Sequence, residues 1–338
     1  MNIQTPEKTA LVRAECAENP TMPSLTLARF IYGKHPHLWP NLDACCQSVR
    51  RVRGNKGKFH RKYGDPSLHR PNQPAGCTWA MPKSVAEDWK PFELSTEKNL
   101  VLADIHIPFH EPAVLEVALK YGRKYKPDCI ILDGDIADFY SISKFDHNPS
   151  APQLKEEMKA VKDFLGYLRQ MFPKSRIIYK MGNHDERWSL YVWRKGKELF
   201  DVVDASLSTL LTEENKVGPA VGGIEFVDEQ RIIQYDKLSI IHGHEFGHNM
   251  FSPVNPARGN FLRGIECSLA GHLHRSSKHV ETSMLGRVIS CWSVGCLCGM
   301  HPEYARLNKW NHGFAVVELD HRGKFKVDNY TILDGEIV

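Results

Sequence analysis

The sequence predicts an α/β fold in which two sheets face each other with helices outside, preceded by a small helical module. From Asn99 onward, short apolar runs alternate with helical spacing in a β-α-β-α-β order, which favours largely parallel strands. After a helical insert over 186–212 the pattern becomes richer in strands. Residues 1–95 differ, since they carry helical spacing and 14 Lys and Arg against 8 Asp and Glu.

The overall composition is that of a globular protein. Of 338 residues, 42% are hydrophobic and 25% are charged. No apolar run approaches the roughly 20 residues of a membrane-spanning helix, and the N-terminus lacks the basic-then-apolar layout of a signal peptide. We therefore expect a cytoplasmic protein without a membrane partner. The nine cysteines suggest no disulfide framework, and we interpret Cys291, Cys296 and Cys298 as structural thiols rather than a zinc site.

Residues 1–75 are expected to form a basic helical module, similar to a helix-turn-helix. Helical spacing marks residues 8–17, 26–32 and 42–53, and Asn41 is the expected N-cap of the last helix. Residues 50–70 carry eight Lys or Arg against a single acid, with Phe59, His60 and Tyr63 interleaved. This segment favours nucleic-acid binding, and a basic linker or solvated helix face is the alternative.

Residues 76–98 have the composition of a linker that contains proline. The region 99–338 then forms the larger domain. Its strands are predicted over 100–103, 129–132, 176–179, 231–235, 238–241, 268–270, 278–282, 287–292, 313–319 and 324–332.

Five polar clusters directly follow apolar runs in this larger domain. In open α/β sheets, ligands bind beyond the carboxyl ends of the strands, so the clusters are expected to lie together. All five in order predict a metal site, and their mixture of carboxylate, amide and imidazole groups suits manganese, iron or zinc. The clusters are Asp104-Ile-His106, Gly134-Asp135 with Asp138, Gly182-Asn183-His184-Asp185, His242-Gly-His244 and Gly271-His272-Leu-His274.

With these motifs in this order, the chain resembles the calcineurin-like metallophosphoesterase superfamily over about residues 99–338. The resemblance implies that 99–338 is a catalytic domain with a four-layer α-β-β-α sandwich. It also implies two divalent metal ions as cofactors, with manganese expected first and iron, zinc or magnesium as alternatives. The implied ligands are Asp104, His106 and His274 for the first metal, Asn183, His242 and His272 for the second, and Asp135 as the bridge.

The resemblance also implies the residues that act on protons. His184 resembles the family's catalytic histidine, which protonates the leaving oxygen, and Asp185 would orient its ring by a hydrogen bond. His244 is a less favoured alternative to His242 as a ligand. Asp138 is expected to be structural or to support the ligands. The implied reaction is attack on a phosphate ester by hydroxide that the two metals activate.

The kind of ester is predicted from what accompanies the motifs. Protein phosphatases of this superfamily place an arginine and a glycine soon after Gly-Asp, and residues 136–140, which follow Gly134-Asp135, lack both. Together with the basic segment 50–70, this favours a phosphodiesterase or nuclease that acts on nucleic acid. The alternatives are a phosphatase for small-molecule or phosphoprotein substrates, and a non-catalytic nucleic-acid-binding protein.

Overall fold

The chain divides into two units, residues 1–87 and 88–338. The computed structural model describes residues 6–54, 84–85, 89–144, 148, 150–199, 202–227, 230–247 and 254–338. Most of the basic segment 50–70, including Phe59, His60 and Tyr63, therefore lies outside the described residues.

The N-terminal unit contains the three expected helices, α1 (Pro6–Glu18), α2 (Ser24–Lys34) and α3 (Leu42–Val52). Their apolar faces bury one small core that includes Leu27, Ile31 and Cys45. The Asn41 side chain accepts a hydrogen bond from the backbone N–H of Ala44, so the predicted N-cap is confirmed. Arg53 is buried, and its guanidinium donates to carbonyl oxygens of the turn between α1 and α2. This bond ties the end of α3 to that turn.

The second unit is built from thirteen strands and five helices among its described residues. The helices are α4 (Pro112–Tyr125), α5 (Leu154–Met171), α6 (Glu186–Lys195), α7 (Leu207–Thr212) and α8 (Pro256–Gly264). The strands are β1 (Phe92–Glu93), β2 (Lys98–Leu102), β3 (Cys129–Asp133), β4 (Arg176–Lys180), β5 (Ile224–Val227), β6 (Ile233–Tyr235), β7 (Leu238–Ile241), β8 (Ser268–Ala270), β9 (Ser277–Thr282), β10 (Val288–Ser293), β11 (His312–Leu319), β12 (Phe325–Leu333) and β13 (Glu336–Ile337).

The strands form two sheets. The larger has the order β13-β12-β11-β2-β3-β4-β5, with β2 to β5 parallel, and the smaller has the order β1-β6-β7-β8-β10-β9. Side chains of β2 and β3 alternate between two cores, because successive residues of a strand point to opposite faces. Leu100 and Leu102 pack with α4 and α5, whereas Val101 and Ile131 pack with the smaller sheet. Helix α8 packs against β8, β9 and β10. The predicted four-layer α-β-β-α sandwich is confirmed.

Three strands lie where the sequence pattern did not predict them. Strand β1 lies within the predicted linker 76–98 and pairs with β6, β5 is the edge strand beside β4, and β13 pairs with β12. The predicted helical insert 186–212 contains α6 and α7. None of the helices in the described part of the chain is long and apolar enough to cross a membrane.

Strand register brings the motif loops to one end of the sandwich. In the larger sheet Leu102, Leu132 and Tyr179 are neighbours across β2, β3 and β4. In the smaller sheet Ile241 of β7 is the neighbour of Ala270 of β8, and these two strands are parallel. Parallel strands in register end at the same level, so the loops that follow them meet.

Candidate metal and active site

The first half of the candidate site joins ligands from three loops. His106 Nε2 lies 3.2 Å from His274 Nε2, and His274 Nε2 lies 3.2 Å from Asp104 Oδ1. His106 Nε2 is also 3.7 Å from Asp135 Oδ2. All four side chains are buried. These are the residues expected around the first metal, and their donor atoms converge on one point.

The second half lies on the other side of Asp135. His242 Nε2 is 3.2 Å from Asp135 Oδ2, and ligand atoms of Asp135, His242 and His272 lie within 4.8 Å of one another. Asn183 Oδ1, His242 Nε2 and His272 Nδ1 are buried and make no hydrogen bond with the described residues. Buried polar atoms without partners are costly, and a divalent cation held by Asp135, His242 and His272 would satisfy the two histidine nitrogens. The residues therefore fit a metal ion here.

The pKa shifts of Asp135 and His272 are in the direction that metal binding requires. At His242 and His274, by contrast, burial lowers the pKa, but Asp135 and Asp104 outweigh it and raise that pKa. Burial raises the pKa of the Asp135 carboxyl, but His242 and His184 outweigh it and hold that pKa well below its usual value. Burial also lowers the pKa of His272 to about 4, with the neighbouring His242 acting in the same direction. An ionised carboxylate and a neutral imidazole are the forms that bind a metal.

Five of the seven expected ligands have left-handed backbone conformations. Their φ angles lie between 51° and 66°, in a region that side chains other than glycine rarely adopt. Strain of this kind costs roughly 1–3 kcal/mol per residue and clusters at functional sites. The packing of the surrounding fold therefore keeps these candidate ligands in unfavourable backbone conformations, as is typical of functional sites. The five residues are Asp104, His106, Asp135, His272 and His274.

Two glycines allow the loops to approach. A Cβ at Gly182 would lie 2.3 Å from Asp135 Oδ1, and a Cβ at Gly134 would lie 2.3 Å from His242 Nδ1. Gly134 also has a φ of 80°. Neither position has room for a side chain, so the glycines of two motifs are required by close packing against the expected ligands.

The structure contradicts the expected hydrogen bond between Asp185 and His184. Asp185 Oδ2 accepts from the backbone N–H groups of Asp135 and Gly182, at 2.8 and 2.9 Å. Asp185 Oδ1 accepts from Ala137 N at 3.0 Å and from the Tyr179 hydroxyl at 2.6 Å. Both oxygens are occupied, because the turn directs the two adjacent side chains to different surroundings. Asp185 holds the loop that carries Asp135.

Asp138 is the carboxylate that contacts His184. His184 Nδ1 lies 3.0 Å from both Oδ1 and the backbone oxygen of Asp138. The same Oδ1 is 2.8 Å from His106 Nδ1. Burial raises the pKa of Asp138, but hydrogen bonds from the two histidines outweigh it and lower that pKa. One ionised carboxylate therefore orients a candidate metal ligand and the candidate proton donor.

Arg187 is a site residue that the motifs did not reveal. Its Nη1 donates to the backbone oxygen of Asp138 at 2.9 Å, and its Nη2 lies 3.0 Å from His184 Nε2. It follows His184 by three positions at the start of α6, which is one helical turn. That spacing was the available signal, but nothing else in the sequence distinguishes Arg187 from other surface arginines.

A buried ion pair supports the second half of the site. Lys180 Nζ, at the end of β4, is 2.7 Å from Glu245 Oε1, and Lys180 is fully buried. The Glu245 carboxylate accepts from the backbone N–H groups of His242 and Gly243. His244 turns away from the ligand atoms, because its Nε2 lies 3.1 Å from Glu186 Oε1. The geometry therefore favours His242 over His244 as the ligand.

One thiol lies closer to the site than the sequence suggested. All eight cysteines in the described part of the chain are buried and unbridged. Cys298 Sγ lies 3.8 Å from His274 Nδ1, and His106, His274 and Cys298 form a group that could hold a metal. Cys298 therefore contacts a candidate metal ligand, His274. Cys291 does not, because it lies within the core between the two sheets.

A buried cluster of His, Asp and Asn donors with a histidine beside it is the arrangement of a metal-dependent hydrolase. Residues 98–276, more than half of the chain, match the family model for the calcineurin-like phosphoesterase. The chain therefore belongs to the calcineurin-like phosphoesterase family, which confirms the resemblance seen in its motifs. Hydrolysis of phosphoester bonds with divalent metal is the chemistry of this family.

One phage protein and two solved structures are similar to this chain at low identity. The Gene 54 protein of Mycobacterium phage L5 is 24% identical over 255 residues, which cover 69% of this chain and 97% of that protein. Vacuolar Protein Sorting 29 from Cryptosporidium parvum is 14% identical, with a TM-score of 0.37 over 72% of this chain and 95% of that one. A dimetal phosphatase from Danio rerio is 11% identical, with a TM-score of 0.37 over 69% and 96%.

Proposed function

We propose that this protein is a phosphodiesterase that uses two divalent metal ions and acts on nucleic acid. The observation that carries the dinuclear site is the pair of ligand groups that share Asp135. Three buried polar atoms of the expected ligands, Asn183 Oδ1, His242 Nε2 and His272 Nδ1, make no hydrogen bond with the described residues. The ligand roles expected from the motifs are part of this proposal, and manganese is the metal we propose first.

Bound at these ligands, two divalent ions would supply an activated water and neutralise charge on the phosphate. His184 donates a proton to the leaving oxygen from Nε2, since Nδ1 faces Asp138. Burial lowers the pKa of His184, but Asp135 and Asp138 outweigh it and raise that pKa, which favours the protonated ring. Arg187 Nη2, 3.0 Å from Nε2, can only donate a hydrogen bond, so Nε2 accepts from Arg187 in this structure. For His184 to act as the proton donor, Arg187 turns from Nε2 to the ester, where its charge stabilises the leaving oxygen.

The basic segment 50–70 supports nucleic acid as the substrate. Lys and Arg that contact phosphates give affinity that falls with salt, and interleaved aromatic side chains can stack on exposed bases. The missing arginine and glycine after Gly134-Asp135 argue against the protein-phosphatase type of substrate. Phosphodiesters of nucleic acid are therefore the class we propose.

The test compares esters under one set of metals. Wild-type protein is assayed with Mn²⁺, Mg²⁺ and Zn²⁺ on single- and double-stranded DNA, cyclic nucleotides and p-nitrophenyl phosphate. We expect Mn²⁺-dependent hydrolysis of DNA, and a loss of that activity in a His242→Ala variant. If the protein hydrolyses p-nitrophenyl phosphate but leaves DNA intact, the nuclease proposal is wrong and the protein is a phosphatase. DNA binding without hydrolysis of any ester would indicate a non-catalytic binding protein.

A further inference from the structure

A cavity with aromatic walls opens beside the first half of the metal site. Its volume is about 420 Å³, and His106 and Asp138 form part of its wall. We call it the aromatic cavity, after four of the side chains that line it: Phe109, Tyr140, Tyr304 and Trp310. Small-molecule sites usually measure roughly 300–1,000 Å³, so this cavity suits one planar group and not an extended chain.

The aromatic cavity borders the candidate metal site, because His106 and Asp138 line it and Trp310 contacts His274. The Trp310 ring packs on the ring of the candidate ligand His274, with centroids 4.0 Å apart. Tyr304 lies next to Trp310, with centroids 6.4 Å apart, and Tyr304 is 65% exposed. Phe109 and Tyr140 face each other edge-on at 5.6 Å on the side of His106. A group bonded to the phosphate would reach these rings.

We propose that the aromatic cavity binds an unpaired nucleobase of the ester that is hydrolysed. Aromatic faces stack on any base, which gives affinity without sequence preference. A base inside a duplex is stacked and paired, and removing it from the duplex costs free energy. The substrates are therefore single-stranded or terminal nucleotides, or esters of single nucleotides. This inference rests on the proposed phosphodiesterase function and narrows its substrate class.

The experiment uses three diesters with the same leaving group. Thymidine 5′-(p-nitrophenyl) phosphate, methyl p-nitrophenyl phosphate and phenyl p-nitrophenyl phosphate all release p-nitrophenolate, so differences in kcat/KM report the second substituent. We expect the thymidine ester to be preferred over the methyl ester in wild-type protein. The Tyr304→Ala variant should reduce this preference about tenfold, within the range of alanine substitutions at base-stacking aromatics.

Two further variants separate stacking from general effects. Tyr304→Phe keeps the ring and should keep the preference for the thymidine ester. Tyr167→Ala removes another exposed tyrosine, at 51% exposure on α5, and should also leave the preference unchanged. Melting temperatures of all variants identify any loss of folding. A preference for the thymidine ester that Tyr304→Ala leaves unchanged overturns the inference. The inference also fails if the phenyl ester is preferred over the methyl ester as strongly as the thymidine ester is and loses that preference equally in Tyr304→Ala, because the cavity would then bind any aryl group.

Binding decides the inference if the protein hydrolyses none of the diesters, an outcome that removes the proposed function itself. Thymidine 5′-monophosphate is then titrated into wild-type and Tyr304→Ala protein by calorimetry. A dissociation constant about tenfold higher in the variant supports the base site. Equal affinity in the two proteins overturns it.

Discussion

At the scale of single residues, Asp138 contacts both a candidate metal ligand and the candidate proton donor. Its Oδ1 is 2.8 Å from His106 Nδ1 and 3.0 Å from His184 Nδ1. In the proposed mechanism each ring therefore presents its Nε2 to the site, His106 to a metal and His184 to the leaving oxygen. Hydrogen bonds from such partners fix both the tautomer and the orientation of a histidine.

Replacing His184 with Ala tests the proton donor. We expect kcat on DNA to fall by about 10²- to 10⁴-fold, the usual contribution of a general acid. A p-nitrophenyl diester should lose much less, because its leaving group is stable without protonation. Metal content, measured on the same protein samples, should match that of wild type. An equal loss on both substrates would show that His184 does not donate the proton.

An Asp185→Asn substitution should act on stability and not on proton transfer. The Asp185 carboxylate accepts hydrogen bonds from backbone N–H groups that include those of Asp135 and Gly182. The N–H group of an asparagine amide cannot accept these bonds, so one of the backbone donors would lose its partner. Leaving one such buried group unpaired costs about 1–3 kcal/mol. Denaturant unfolding in EDTA should show this loss, while the ratio of rates on DNA and the p-nitrophenyl diester stays at the wild-type value. Asp138→Asn is the matched variant, and it should change that ratio.

At the scale of elements, the Lys180–Glu245 ion pair joins the end of β4 in one sheet to the loop after β7 in the other. Lys180→Met would leave the Glu245 carboxylate buried without its cation. We expect this to lower the free energy of unfolding by about 3–5 kcal/mol, as for other buried pairs that lose one partner. Lys159→Met is the control, because it breaks an exposed pair on α5, worth only about 0.3–0.5 kcal/mol. Similar losses in both variants would contradict the argument.

The same ion pair predicts a dependence on pH. Burial raises the pKa of Glu245, but Lys180 outweighs it and lowers that pKa to about 2. Since the folded-state pKa lies below the ordinary value of 4.5, the stabilisation is complete above that pH and is lost as the pH falls toward 2. The difference in unfolding free energy between wild type and Lys180→Met should therefore shrink from pH 7 to pH 3.5. A constant difference would contradict the pairing.

The sequence predicted those features that depend on position along a strand. Asp104, Asp135 and His242 follow apolar runs, and parallel strands in register bring their loops together. It could not predict contacts that depend on turns, such as Asp138 with His184, which lie 46 residues apart. Asp185 was assigned to His184 because the two are adjacent, but the turn separates their side chains. Strand β5 was missed because it is only four residues long and the exposed Glu225 interrupts its apolar run.

At the scale of the whole molecule, the proposed division of labour is that the second unit hydrolyses and the basic segment 50–70 retains nucleic acid. Charge outside the site then affects binding to DNA but not chemistry on a small ester. Each Lys or Arg that contacts a phosphate adds about 0.9 to the slope of log affinity against log salt on duplex DNA. The segment can therefore be tested by its salt dependence, without reference to its structure.

Replacing Lys56, Lys58, Arg61 and Lys62 together with Gln removes half of the basic residues in this segment. We expect weaker binding to single-stranded DNA, for which the salt slope should fall by about 0.7 for each lost phosphate contact. The value of kcat/KM for methyl p-nitrophenyl phosphate should stay unchanged, since that ester is too small to reach beyond the metal site. Binding is measured by fluorescence anisotropy between 50 and about 200 mM salt, the range over which such contacts weaken strongly.

The matched control carries the same change of charge in the second unit. Lys155, Lys159, Lys174 and Lys216 are exposed there, and their replacement with Gln lowers the net charge of the protein by the same amount. If nucleic acid binds through the basic segment, the control protein keeps the wild-type salt slope. Equal losses in the two proteins would mean that affinity follows net charge alone, and the segment would then be a solvated face without a partner.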